Sequence, residues 1–514
     1  MKVIKIYLKR LSKLLIFCLF SIMVIISIGL LLPLTNFSAG QTYQTLVINN
    51  VSIIDVINGT TIPNQNILIQ DNYIKKISTV PLITNKNAVV IDGSNQFVMP
   101  GLWDMHTHFM HHSPELHFPL LIAHGVTHVR EMGFGSPAEV SPDESILMSL
   151  KDRDQWRSQI SNQKLIGPYI STSAVYQIEE FGDIWDNEDQ IPPFETILKV
   201  FTKLEKSGVD FIKITLENNP PKEFFYDIMT AANQVGLNVV GHKPRKVSAI
   251  EASNLGMKSF EHARFIIYES SSLRDTYLNG SFKGKGTQDE IYSEMINSYQ
   301  PRLAENTFKA FKGNDTWYCP THITRRWEAR YDDEAYINDE RLKYVPYLLR
   351  TLWNIDAFML GRKESSKVSN DFYKLGLTIT KQAHEVGIGL LAGSDSPDPY
   401  SFHGSALWDE LLEFDKAKIA SKDILKIATI DSAQFSNQQT QFGSVEENKI
   451  ADLLLLTKNP LDSIKNIESL ETVIVHQQIF AQKDFTIMKN YVAEIATSWA
   501  FTSAQVWLTI KSFF

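Results

Sequence analysis

The sequence predicts an α/β fold: a (β/α)8 TIM barrel with enlarged loops, plus a small β-sandwich built from both flanks of the barrel. Three observations predict it. Short apolar runs alternate with helical stretches from Gln96 to about Phe435, the pattern of a parallel α/β sheet. Eight of those runs end, in order, at Thr107, Met132, Ser173, Leu216, His242, His262, Thr321 and Asp395, the number a barrel needs. Two β-prone blocks, 41–95 and 440–485, enclose this middle section and are expected to pair into one small sheet domain.

At the N-terminus, Lys2, Lys5, Lys9, Arg10 and Lys13 precede an uncharged apolar run from Leu14 to Leu32. A basic flank before such a run reads as an export signal or an N-terminal membrane anchor over 1–40. The run is close to the ~20 residues that span a bilayer, while Ser38-Ala39-Gly40 offers small residues for cleavage. Both outcomes place the remainder outside the cytoplasm, periplasmic or secreted, and an uncleaved segment would hold it at a membrane. In the first flank, the runs TLVINNVSIIDV, NILIQ, YIKKIS and AVVID are β-prone, and Gly59-Thr60 and Asp71-Asn72 punctuate them as turns.

The barrel is expected over 96–439. The connection from His322 to about Glu385 is long enough to need helices of its own, and its Trp327, Tyr331, Tyr344, Arg325 and Arg326 suit a wall or lid over a pocket as well as plain packing. IADLLLLT and TVIVHQQIFAQ return the chain to the small sheet. The last segment, 486–514, is an apolar tail read as a helix, either docked on the barrel or lying in a membrane interface through its aromatic residues.

Composition narrows the chemistry. There are 58 acidic and 50 basic residues, a formal charge of −8, which argues against a phosphate-tracking nucleic-acid binder. Cys18 and Cys319 are the only cysteines, too few for a disulfide framework or a Cys-rich zinc site. A metal site would have to use His, Asp, Glu or an unusual ligand.

His106 and His108 stand two apart in VMPGLWDMHTHF, so on a strand both imidazoles face the same way. His242, His262 and Asp395 follow at later strand ends, the place where barrel enzymes hold their sites. Imidazole nitrogen with carboxylate oxygen suits Zn²⁺ or a related divalent ion. Lys213, inside DFIKITLE, cannot bind a metal as an ammonium. It either becomes a carbamate by reaction with carbon dioxide or reaches the strand end to pair with Glu217 or another acid. His322 at the seventh strand end, His403 in the loop after Asp395, and Arg245 are candidate substrate contacts. His111, His112 and His117 read as solvated or pocket-lining, and His124, His128, His384 and His476 as structural.

From about Thr45 to Gln482 the sequence resembles the amidohydrolase superfamily, in its secreted imidazolonepropionase-like and prolidase-like branch. PGLWDMHTH resembles the first-strand motif, GVTHVREMG the second, GVDFIKI the bridging-lysine strand, GHKP and SFEH the next two ligand motifs, and AGSDSP the catalytic aspartate strand. IADLLLLTKNPLDSI resembles the C-terminal sheet signature. The resemblance implies His106, His108 and Asp395 on one metal, His242 and His262 on a second, and carboxylated Lys213 bridging two Zn²⁺. Tyr176 stands where relatives often carry Gly-Gly-His, and becomes a further candidate substrate contact.

The predicted function is metal-dependent hydrolysis of an amide bond in a small substrate, such as a dipeptide, N-acyl amino acid or cyclic amide. Asp395 would take the proton of the attacking water and return it to the leaving nitrogen. The alternatives are a mononuclear, deaminase-like hydrolase and a catalytically inactive, membrane-tethered binding protein. Nothing in the sequence fixes an oligomeric state.

Overall fold

The computed structural model describes residues 28–29, 31, 37–82, 87–133, 148–176, 191–215, 220–280, 286–360 and 366–511. The predicted signal or anchor over 1–40 therefore lies almost wholly outside the described residues.

Seven parallel strands build the central sheet in sequence order: β1 (Leu102–Thr107), β2 (Val126–Glu131), β3 (Tyr169–Tyr176), β4 (Phe211–Thr215), β5 (Val239–His242), β6 (Ser259–Glu261) and β7 (Trp317–Cys319). All seven end within three residues of their predicted ends. The β1 and β2 strands are buried at every position, as expected of strands covered on both faces. Helices follow the strands; Ser366–Val386 buries Phe372, Tyr373, Leu377 and Ile379 and packs against Gln288–Asn297, Pro301–Gly313 and His322–Glu328.

The expected eighth strand is not a regular one. Residues 389–396 meet β7 and β1 through isolated bridges, Tyr318 with Leu390 and Thr107 with Ser396. Leu391 N donates to Tyr318 O at 2.9 Å, and Met105 N donates to Ala392 O at 2.8 Å. The ladder is broken where Asp395 takes φ +53°, a left-handed value that extended strands do not hold. Gly393 is needed here, because a Cβ would come within 2.5 Å of His106 Cβ and 2.6 Å of Cys319 Sγ.

Both flanks meet in one nine-stranded hydrogen-bonded sheet. Its link is Phe97–Pro100, parallel to Thr45–Asp55 on one side (Ser52 opposite Phe97) and antiparallel to Leu453–Leu456 on the other (Leu453 opposite Pro100). Alternating residues such as Leu46, Ile48, Ile67, Ile69, Leu453 and Leu455 fill its separate core.

The segment after β7 is helical, as its length required: His322–Glu328, Glu334–Ile337, Tyr347–Leu360 and Ser366–Val386. The C-terminal tail is two helices, Gln482–Thr497 and Trp499–Lys511. They break at Ser498, whose Oγ accepts the Phe501 N–H at 3.1 Å, an N-cap that restarts the helix. Val492, Ile495, Ala496 and Phe501 pack on Leu116 and Leu120, so the first half of the tail docks on the α/β unit. Among the described residues, no helix is long and apolar enough to cross a membrane.

Candidate metal centre

The C-terminal ends of the parallel strands bring six sequence-predicted residues together. His106 and His108 share one face of β1 and its continuation, with ring centroids 5.3 Å apart. The His262 ring lies 5.0 Å from that of His106 and 4.6 Å from that of His242. Asp395 sits among them: Oδ1 is 3.2 Å from His106 Nε2 and 3.0 Å from His108 Nε2, and Oδ2 is 3.4 Å from His262 Nδ1. Lys213 Nζ is 3.5 Å from His106 Nε2.

The proton positions follow from the second partners. His106 Nδ1 faces Glu261 Oε2 at 2.8 Å, and His108 Nδ1 faces the Gly133 carbonyl at 2.7 Å. Carboxylate and carbonyl oxygens only accept, so both Nδ1 atoms carry the hydrogen and both Nε2 lone pairs point at Asp395. Burial also pushes His108 down to about 4, against the pull of Asp395, which keeps it neutral at ordinary pH. Two imidazole Nε2 atoms converging on one carboxylate oxygen at 3.0–3.2 Å need positive charge between them: a metal ion, or a proton on His106, whose pKa Asp395 raises against burial. The donor set fits a divalent metal. Ligand atoms of His106, His262 and Asp395 lie within 4.8 Å of one another.

Backbone strain marks the same place. His262, Thr321 and Asp395 take φ of +67°, +44° and +53°, a region costly for side chains other than glycine and recurrent at functional sites. Lys213 is 4% exposed. Burial lowers its pKa, while Asp395 and Glu261 oppose that shift. The close approach of β5 depends on Gly241 (φ +111°), where a Cβ would lie 2.3 Å from Ile214 O and 3.1 Å from Lys213 Cγ.

Five supporting residues escaped the sequence reading. Arg130 Nη2 donates to Glu261 Oε1 at 2.9 Å and Oε2 at 3.0 Å, and Ser259 Oγ donates to Oε1 at 2.5 Å. Burial alone would raise Glu261, but Arg130 and His106 hold it down, to about 2. Asp104 accepts the Ser394 N–H at 2.9 Å, tying 389–396 to β1. Glu131 accepts the Gly133 N–H at 2.7 Å. The available signal was a charge in the middle of an apolar strand: a buried Arg on β2 demands a buried acid on a neighbour. A second donor group, His106, Glu261 and Cys319, lies behind the site, and there Glu261 is already engaged by Arg130 and His106.

A cavity of about 370 Å³ opens over the cluster, lined by His108, Lys213, His242, His262 and Asp395 on its floor and by Arg264, Thr324, Arg325, Trp327, Glu328, Asp356, Asp398 and Pro399 around it. Arg325 pairs with Glu328. Burial and the Asp395 charge push Asp398 up to about 8.

The structure does not bring His322, His403 or Arg245 to this lining. His322 is fully buried, with Nε2 on Thr380 Oγ1 at 2.9 Å. His403 Nε2 donates to His108 O at 3.1 Å and its ring stacks on His117 at 3.7 Å, so it supports the first histidine strand from behind. The Arg245 guanidinium lies 5.6 Å from the Tyr277 ring centroid. The Tyr176 backbone ends β3, and its side chain lies outside the described residues, as does Glu217.

Solved structures share this architecture. A Xaa-Pro dipeptidase with methionine bound in its active site aligns over 85% of this chain and 100% of its own, at 18% identity and TM-score 0.58. Bottromycin amidohydrolase aligns over 88% and 91%, at 19% identity and TM-score 0.65. The ochratoxinase of A. niger aligns over 86% and 96%, at 15% identity and TM-score 0.56. The chain shares the fold of these hydrolases. No protein-family profile matches the sequence, and no curated protein matches it.

Proposed function

We propose that the chain is a metal-dependent amidohydrolase that cleaves the carbon–nitrogen bond of a small amide: a dipeptide, an N-acyl amino acid or a cyclic amide. The observation that carries this reading is the convergence of the His106 and His108 Nε2 lone pairs on Asp395 Oδ1 beneath the cavity. The fold shared with amide and peptide hydrolases supports it. In this reading, residues 389–396 complete an eight-stranded barrel, and the nine-stranded sheet is its companion sandwich.

His106, His108 and Asp395 would hold one divalent ion, and His242 and His262 a second. Lys213 would bridge them after its neutral amine adds to carbon dioxide and releases a proton, and burial favours that neutral amine. Zn²⁺ fits the nitrogen and oxygen donors. Bound ions supply Lewis acidity toward water and the substrate carbonyl. Asp395 accepts one proton from the attacking water as the carbon–oxygen bond forms, and delivers it to the nitrogen as the carbon–nitrogen bond breaks. Glu261 and the Gly133 carbonyl hold the imidazoles in orientation. Arg264 and Arg325, set against Glu328 and Asp356 around the cavity, suit a substrate carrying both a carboxylate and an amine. The basic and then apolar N-terminus supports an extracytoplasmic enzyme, membrane-tethered when 1–40 is retained.

A mononuclear, deaminase-like site is the second reading. One observation favours it: among the predicted ligands in the described residues, only the His106, His262 and Asp395 donors lie within 4.8 Å of one another. The full chain, purified and metal-quantified, should be screened against dipeptides and N-acyl amino acids with the His106→Ala/His108→Ala variant as control. Two metals per chain and turnover lost in the control support the binuclear reading, whereas one metal per chain supports the second. A metal-loaded chain inert across the panel overturns the amidohydrolase reading.

A further inference from the structure

The helix Tyr347–Leu360 beside the cavity carries an apolar face that the fold leaves exposed. Its inner side is fixed by Trp353, which is buried and lies 5.7 Å from the Tyr400 ring and 5.8 Å from the Phe402 ring. At about 100° per residue, Tyr347, Leu352, Ile355 and Met359 share one arc of about 140° on the other side. These four are between 44% and 69% exposed. Thr351 is the one polar residue within the arc, and Asp356, at its edge, lines the cavity.

What covers this face is indicated by its neighbours. Tyr344, three residues before the helix, packs on the cluster of Val492, Ile495 and Phe501 in the C-terminal helices. Gly29, within the uncharged Leu14–Leu32 run, lies against the same helices: a Cβ there would be 1.9 Å from Ser503 Oγ and 2.7 Å from Trp499 Nε1. Trp499 is itself 49% exposed. Lys343 is exposed beside Tyr344, its Nζ 5.1 Å from that ring centroid. The start of the exposed helix, through Tyr344, and the end of the membrane-length apolar run, through Gly29, thus meet the same pair of C-terminal helices.

We propose that the helix Tyr347–Leu360 rests on a lipid bilayer, its apolar arc at the acyl boundary and Lys343 toward anionic headgroups, so that the cavity rim sits at the membrane surface. A second copy of the chain is the rival occupant. The flanking Lys343 and the nearby apolar run favour lipid. This rests on the reading that 1–40 tethers the chain to a membrane.

The test uses the full chain with Ile355→Cys in a Cys18→Ser background, since Cys319 is buried, and an environment-sensitive dye on the new thiol. The protein is mixed with phosphatidylcholine/phosphatidylglycerol vesicles containing acyl-chain spin-labelled lipid. Flotation with the vesicles is expected, with several-fold stronger quenching at 355 than at a Val80→Cys control, a site 64% exposed on the small sheet domain. Flotation with equal quenching at both sites overturns the helix contact and leaves the tether standing. Absence of flotation overturns the tether and the contact together. Energy transfer between two chains labelled at 355, without lipid quenching, overturns the contact in favour of self-association.

Discussion

Glu261 Oε2 lies 2.8 Å from His106 Nδ1, and that one contact decides which nitrogen of the imidazole faces the cavity. The same carboxylate neutralises Arg130, which is 2% exposed. Orientation of the site and burial of a cation are thus one network.

Glu261→Gln should therefore fail in two separable ways. It leaves Arg130 buried without its counter-charge, a loss on the order of 3–5 kcal/mol, read as a lower Tm. It also weakens metal binding about 10–100-fold, read by chelator competition. Adding Arg130→Met should recover stability without recovering metal affinity. Recovery of both would mean that Glu261 acts only through packing. Because Glu261 is depressed to about 2 in the fold, its stabilisation is complete above the ordinary carboxylate pKa and fades as pH falls toward 2.

Lys213→Met separates the two roles open to that lysine. The substitution removes a buried amine and keeps an apolar side chain of similar length, so Tm should hold or rise. Turnover should nevertheless be lost if a carbamate forms there. ¹³C-labelled bicarbonate should give a carbamate carbonyl signal in the parent and none in the variant. A variant that keeps its turnover assigns Lys213 to structure.

Gly241→Ala asks whether the backbone beside Lys213 is as constrained as it looks. The added Cβ meets Ile214 O at 2.3 Å in a conformation with φ +111°, so main chain has to move. A loss of about 2 kcal/mol or more is expected from strain at such a position, with reduced activity because β4 shifts. Unchanged denaturant midpoints would show that the strand ends yield easily.

The convergence of the proposed ligands was legible because a strand has period two and a barrel collects its strand ends: His106 and His108 on one face, and His242, His262 and Asp395 at later ends, needed no tertiary knowledge beyond that. Lys213 was legible as an anomaly, a charge inside FIKI. Glu261 was not, because its meaning depends on Arg130, 131 residues away in sequence, and only the β2–β6 geometry pairs them. His322 and His403 misled for the mirror-image reason. Both stand near strand ends in the sequence, but the backbone turns their rings onto Thr380 and His117, away from the cavity. The eighth strand was recognisable by its apolar run, yet Gly393 and the left-handed Asp395 reduce it to bridges.

Asp395→Asn tests the proton-transfer role directly. Asn is nearly isosteric and still offers an oxygen to a metal, but it cannot take a proton from water. Turnover should fall by a factor of about 10²–10⁴ with metal content largely retained. Near-normal turnover in a metal-loaded Asn variant would remove Asp395 from the reaction and shift attention to Asp398, across the same cavity.

Away from the proposed ligands, a buried carboxyl makes the stability of the fold depend on pH. Glu410 is fully buried and accepts the N–H groups of His322 and Ile323 at 2.9 and 3.0 Å. Burial raises its pKa, the N–H groups pull against that, and Glu413 adds to the rise, leaving it at about 8. A carboxyl raised in the fold keeps a proton that the unfolded chain releases above its ordinary value of 4.5. Folding stability therefore falls as pH climbs from about 4.5 to about 8, and the slope vanishes outside that window. Asp104, raised to about 6, and Glu131, raised to about 7, act in the same direction, so the wild-type slope alone cannot be assigned. Glu410→Gln isolates it: the variant should lose less stability between pH 5 and pH 8 than the parent, in urea unfolding of the metal-free chain. Parallel pH profiles for the two proteins would show that Glu410 ionises normally despite its burial.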